Sequence, residues 1–238
     1  MSTSASHIPS EVFVGFLGRS IEIHWNYHAL VMVFVWAVVV PACVTAMRFH
    51  KPAPSLRGIR RDVSLWHREW WFFSVHKFGM FFGMFVALSA GGIAFFVSGT
   101  FSGSVHAYLG ALTLLMGLIQ IISSQLRGSR GGKYREGANP NDPATWRGDQ
   151  YDRTIRRRVF EAVHRTCGYF SVILAFGAVG SGLVQYQMPV LATTVLVICF
   201  FWLAVWVRYE FKERAYDGYR VAHGYGLEHP YNKEREFL

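Results

Sequence analysis

The stretch VHAYLGALTLLMGLIQIISSQLR, Val105 to Arg127, constrains the fold more than any other. After His106 come about 20 residues with no charge until Arg127, enough to cross a hydrocarbon core of roughly 30 Å as a helix. An imidazole at the rim of such a helix is costly unless something takes up its polar atoms. Three more long apolar stretches begin with a histidine, at His28, His76 and His164, and a fifth near the C-terminus has none. Only 16% of the 238 residues are charged and 52% are hydrophobic, whereas a soluble domain carries about 25% charged residues. The expected fold is therefore an all-α membrane protein, a bundle of five transmembrane helices. The five apolar blocks leave no room for a second folded domain.

The predicted spans run from about Tyr27 to Met47, Phe72 to Val97, Val105 to Arg127, Val159 to Val184 and Val190 to Val207. Pro41 should kink the first, because it lacks an N–H and crowds the preceding turn. Gly79, Gly83, Gly91 and Gly92 lie along the second, where small residues let a helix or a flat cofactor approach the backbone. The uncharged turn GTFSGS makes spans two and three a hairpin. Residues 1–27 form a separate N-terminal segment. There Ile8, Val12, Phe13, Phe16, Leu17 and Ile21 recur at helical spacing, which predicts a short amphipathic helix on the membrane surface. Trp66, Trp70 and Trp71 read as an interfacial belt. The loop 128–158 is polar and basic, with Trp146 and Tyr151 placed to rest on the lipid surface, and 209–238 reads as a charged, solvated tail. The N-terminus shows no basic run followed by a cleavable apolar stretch, so no signal peptide is expected.

A net charge of +9 raises nucleic acid as a partner, but the placement of the charge argues against it. The region 48–77 holds seven Lys and Arg, the region 127–165 ten, and the tail from Arg208 six, so 23 of 24 basic residues fall on one side of the spans. The positive-inside rule makes that side cytoplasmic, with the N-terminus outside and the C-terminus inside, as in a multi-pass protein of a bacterial inner membrane. Cys43, Cys167 and Cys199 each lie inside an apolar block without metal spacing, and read as small buried hydrophobes rather than as a disulfide or metal site.

Orientation assigns the histidines to depths. Spans one and three start outside, placing His28 and His106 near the outer face. Spans two and four start inside, placing His76 and His164 near the inner face. A single membrane histidine is explained by a carbonyl hydrogen bond or by snorkelling. Four at matched depths, two per face, are better explained as axial ligands of two haem irons, each gripped by imidazoles from facing helices. Such ligation leaves no open site for oxygen and suits electron transfer. His24, one turn before His28, is the alternative ligand there. His50, His67, His223 and His229 lie among charged residues or in the basic, tryptophan-rich linker and read as solvated or interfacial. Arg48, Lys51, Lys77, Arg127 and Arg158 are candidates for haem propionates or an anionic donor, with lipid headgroup contact as the plainer explanation.

At these residues the chain resembles the cytochrome b561 family, in particular the membrane module that other proteins carry after a DOMON domain. His28-Ala29 with Met32, Trp36, Pro41 and Arg48 resembles the first ligand helix, and His76 with Gly83 the second. His106-Ala107-Tyr108-Leu109-Gly110 with Gln120 and Leu126-Arg127 resembles the third, and Arg158, His164, Gly168-Tyr169 and Gly182-Leu183 the fourth. The resemblance covers about residues 25–208, so that 28–208 would be a five-helix cytochrome b561-like domain. It implies two haem b groups on opposite faces, the pairs His28 with His106 and His76 with His164, and one-electron transfer across the bilayer. The chain departs from the family in lacking a helix before the first ligand helix, in carrying Met80 where many members have Gln, and in lacking a DOMON domain. The donor therefore stays open between a quinol, an ascorbate-like reductant and a redox protein. The partners expected are membrane lipid, that donor, and an acceptor or redox protein on the outer face. The alternative is a haem-bearing anchor and relay subunit of a larger redox complex, and a homodimer is also open. A non-redox transporter is disfavoured, because no acidic residue lies inside a central apolar run.

Overall fold

The computed structural model describes residues 9–54, 68–127, 139, 142–145 and 154–223. Five of its helices are long and apolar enough to cross a membrane, and the fold is an all-α membrane bundle. We number them α1 (Trp25–Phe49), α2 (Trp71–Ser98), α3 (Val105–Gln125), α4 (Ile155–Gln185) and α5 (Pro189–Phe211). A short α6, Gly218–His223, follows. The spans match the sequence expectation to within a few residues. The largest extensions are at the end of α5 and at the start of α4, where Thr154 caps the helix by accepting from the Arg157 N–H at 3.2 Å, so that a charged first turn is helical too.

Helices α1 to α4 pack in a ring, each against its neighbours in sequence and α4 back against α1, and α5 lies outside against α1 and α4. The α3–α4 contact is the most extensive. The core centres on α1, where Val35, Trp36, Ala37 and Val40 are buried with Ala87, Ala175 and Val179. The hairpin α2–α3 turns at Gly99 and Gly103, whose φ of 67° and 65° lie in the left-handed region open to glycine.

Pro41 acts through its missing donor. The residues ahead of it, Phe34–Val39, wind as a π-helical stretch, and the Ala37 carbonyl, which residue 41 would serve in a regular helix, instead accepts from the Trp202 indole at 2.8 Å. One turn on, Trp206 donates to Thr45 Oγ1 at 2.7 Å. In lipid a freed carbonyl finds no water, so α5 is held to α1 where α1 needs a donor.

Three expectations are corrected. Residues 11–22 are not an amphipathic helix but an antiparallel hairpin, β1 (Glu11–Val14) paired with β2 (Arg19–Glu22). The intervening turn contains Gly15 and Gly18, the latter at φ 61°, and the β-branched Val12, Val14 and Ile21 favour extended backbone. The Trp25 indole pins this hairpin to α1 by donating to the Pro9 carbonyl at 2.9 Å. Trp70 is not at an interface but buried, with Ala46, Phe72, Val221 and Ala222, whereas Trp71 is exposed. The same cluster shows that the chain beyond Phe211 is not all solvated tail: α6 packs its apolar pair Val221 and Ala222 onto the ends of α1 and α2. The readings made for Trp66, His67, Trp146, Tyr151, His229 and the final residues lie outside the described residues, as does the side chain of His223.

Candidate functional site

Diagonal helices of the ring meet through imidazoles. His28 on α1 and His106 on α3 face each other with ring centroids 6.3 Å apart at an interplanar angle of 88°. His76 on α2 and His164 on α4 do the same at 6.3 Å and 82°. The His106 Nδ1 lies 2.8 Å from the Ala178 carbonyl of α4, and the His76 Nδ1 lies 3.3 Å from the Cys43 carbonyl of α1. A carbonyl accepts only, so both rings carry their proton on Nδ1 and present an Nε2 lone pair. This is how a metal-binding histidine is commonly oriented.

The contacts also give the separation of the pairs. Along α1, His28 and the carbonyl that holds His76 are about 15 residues apart, roughly 22 Å at the helical rise. Along α4, His164 and the carbonyl that holds His106 are about 14 residues apart, roughly 21 Å. The pairs therefore sit at opposite ends of the bundle, with the buried Trp36 of α1 midway between them.

The surroundings of the two pairs differ. Ser104 caps α3 by accepting from the Ala107 N–H at 3.2 Å, which fixes the turn that carries His106. Gly182 lets that ring lie on α4, since a Cβ there would stand 2.7 Å from His106 Nδ1. Among the described residues the buried His28 Nδ1 has no hydrogen-bond partner. Beside His28 a cavity of about 330 Å³ opens between α1, α2 and the hairpin, walled by Val31, Ala90, Ile93 and Ala94, with Glu22 and His24 also lining it.

At the other end, His164 stacks on Phe160 at 5.0 Å, and the Arg157 guanidinium lies over the far ring at 5.1 Å. The Gln120 amide of α3 sits against His164 Nδ1. In the orientation that satisfies both its ends, its nitrogen donates to that atom and to the His164 carbonyl, and its oxygen accepts from the Gly168 N–H at 3.0 Å. Rotating the amide would present its oxygen to an Nδ1–H and leave Nε2 free as a ligand.

These donors fit a bis-imidazole iron site. At both pairs the two rings project from opposite sides of the bundle, and the carbonyls of Ala178 and Cys43 set the tautomer that ligation needs. The orphaned His28 nitrogen and the cavity beside it mark room and unmet polarity at that end. Among the described residues there is no group of three or more His, Cys, Asp or Glu side chains able to hold a metal.

The remaining candidates divide. His24 stands on the cavity rim beside Glu22, 3.9 Å away, and the ring facing His106 is that of His28. Arg48 is engaged elsewhere, paired with Glu210 at 2.6 Å and donating to the Tyr169 hydroxyl at 2.9 Å. The Lys77 amine lies 5.8 Å from the Phe78 ring centre. Arg127 lies over Phe73 at 5.8 Å. Arg158 is exposed, and its neighbour Arg157 is the one that turns inward. Seven residues, two turns, separate Arg157 from His164, which puts both on one face of α4, whereas Arg158 is about 100° away. The spacing of Arg157 to Glu161, i to i+4, was the available signal. His50, expected to be solvated or interfacial, is half-buried between Trp71 and Tyr209, whose hydroxyl is 3.0 Å from its Nε2.

No family model matches the chain, and neither the curated proteins nor the solved structures contain a match to it.

Proposed function

We propose that this chain is a di-haem b-type cytochrome of the kind the cytochrome b561 resemblance implies, passing single electrons across a membrane between a cytoplasmic-side or quinol donor and an acceptor on the outer face. The observation that carries the reading is the pairing itself: two diagonal imidazole pairs of matching separation, roughly 20 Å apart at opposite ends of an apolar bundle. Haem b, when bound, would supply a one-electron iron couple at each end.

The chain's own residues would do the rest. His28 and His106 would hold one group, and His76 and His164 the other. The Ala178 and Cys43 carbonyls orient the rings and raise their basicity by accepting from Nδ1. With two imidazoles holding each group, small molecules would be kept from the metal. The apolar wall from Val35 to Val40 keeps water from the space between the ends. In this reading the basic end faces the cytoplasm of a bacterial inner membrane and the hairpin lies outside.

The test is a dithionite-reduced minus oxidised spectrum of the purified full chain, with haem quantitation. A b-type α band and two haem equivalents per chain are expected. A colourless preparation from haem-replete cells would end the proposal.

A further inference from the structure

Among the described residues Arg157 is the only charged side chain that is buried, at 7% exposure. Its Nε donates to Glu161 Oε1 at 2.7 Å, but its Nη1 is buried and has no hydrogen-bond partner among the described residues. An orphaned guanidinium donor in a dry site is costly, and an acceptor brought from outside the chain removes that cost. A second guanidinium stands close by. Arg127 follows α3 directly, and Arg156 holds the end of α3 to the first turn of α4 by donating to the Leu126 carbonyl at 2.7 Å. Burial first, and the neighbouring Arg157 charge second, push Arg127 below the usual guanidinium range. Arg157 is thus paired with Glu161, and the Arg127 charge stands beside it.

We propose that Arg157 and Arg127 form an oxyanion-binding site at the His164 end of the bundle. The planar fork of Arg157, with Nε already committed to Glu161, offers its Nη1 edge to one oxygen of a carboxylate or phosphate, and Arg127 supplies the second charge. The occupant is either the carboxylate edge of a porphyrin held by His76 and His164, which rests on the function proposed above, or a free phosphate, which does not.

The experiment follows the unfolding temperature of the full chain in detergent as chloride is replaced by inorganic phosphate at constant ionic strength. A free site gives a saturable rise in the wild type and in Arg208→Gln, a control on exposed α5. The rise is lost in Arg157→Gln, and Arg127→Gln raises the half-saturating phosphate concentration several-fold. A site filled by a porphyrin carboxylate gives no rise. Arg157→Gln then lowers the midpoint potential of the component that His164→Ala removes, and Arg208→Gln does not. The site is refuted if phosphate stabilises wild type and Arg157→Gln alike, or if phosphate is without effect and Arg157→Gln leaves spectrum and potential unchanged. If Arg157→Gln fails to accumulate, Arg127→Gln carries the same comparison. A haem-free preparation sinks the cytochrome reading alone, and the phosphate arm then decides: with neither haem nor a phosphate response, the site is refuted too.

Discussion

The two ends of the bundle hold the same pair of side chains by different means. At the His28 end the imidazoles sit beside an open cavity lined mostly by aliphatic residues, and a glycine, Gly182, makes room for one ring. At the His164 end the rings are enclosed by an aromatic stack, a buried cation and an amide. Nearby, α6 and the Arg48–Glu210 pair tie helix ends together. One end is therefore defined by space and the other by charge. A cation near a redox centre favours its more reduced, less positive form, so equal ligands at the two ends should give unequal potentials. The component with the higher midpoint potential is expected to be the one removed by His164→Ala.

The comparison breaks most directly at the ligands. His28→Ala or His106→Ala should each remove one of two haem equivalents and the same spectral component, and His76→Ala or His164→Ala the other. Haem quantitation with a difference spectrum checks this; loss of one common component from both ends would show that the pairs are not separate centres. Next in size is Gly182→Leu, which should displace the His106 ring and its bond to Ala178, cost about 1–3 kcal/mol of stability, and deplete only the His28/His106 component. Gly110→Ala, in open space on α3, should leave the spectrum as in wild type.

Smaller effects separate the scaffold from both ends. Trp202→Phe strands the Ala37 carbonyl beside Pro41 and should cost about 1–3 kcal/mol in unfolding, with haem content unchanged. A full haem loss in this variant would place α5 inside the functional machinery. The smallest change is expected for Glu210→Gln. Its pair with Arg48 is more than one-third exposed, with side-chain exposures of 36% and 49%, so an effect of at most about 1 kcal/mol is expected from the unfolding midpoint.

Much of this arrangement is legible in the residues. Uncharged runs such as the one after His106 dictate helices that satisfy their own backbone in lipid, and short turns dictate antiparallel neighbours. Alternation of direction then puts His28 level with His106, and His76 level with His164. Where the reading went astray, the deciding interaction was remote in sequence. The hairpin at 11–22 satisfies helical spacing on paper, but a left-handed Gly18 and three β-branched residues favour strands. Trp70 looks interfacial until α6 folds over it from about 150 residues away.

The sequence by itself determined the number of long apolar helices, their alternation and which histidines share an end of the bundle, because burial of backbone polarity in lipid and a one-dimensional count of residues suffice for these. Only the tertiary structure decided which helices stand diagonally, that Ala178 and Cys43 hold the rings, and that Arg157 rather than Arg158 turns inward. Those depend on the angular position of each side chain around its helix and on which neighbour packs there, and neither is fixed until all the helices are in contact.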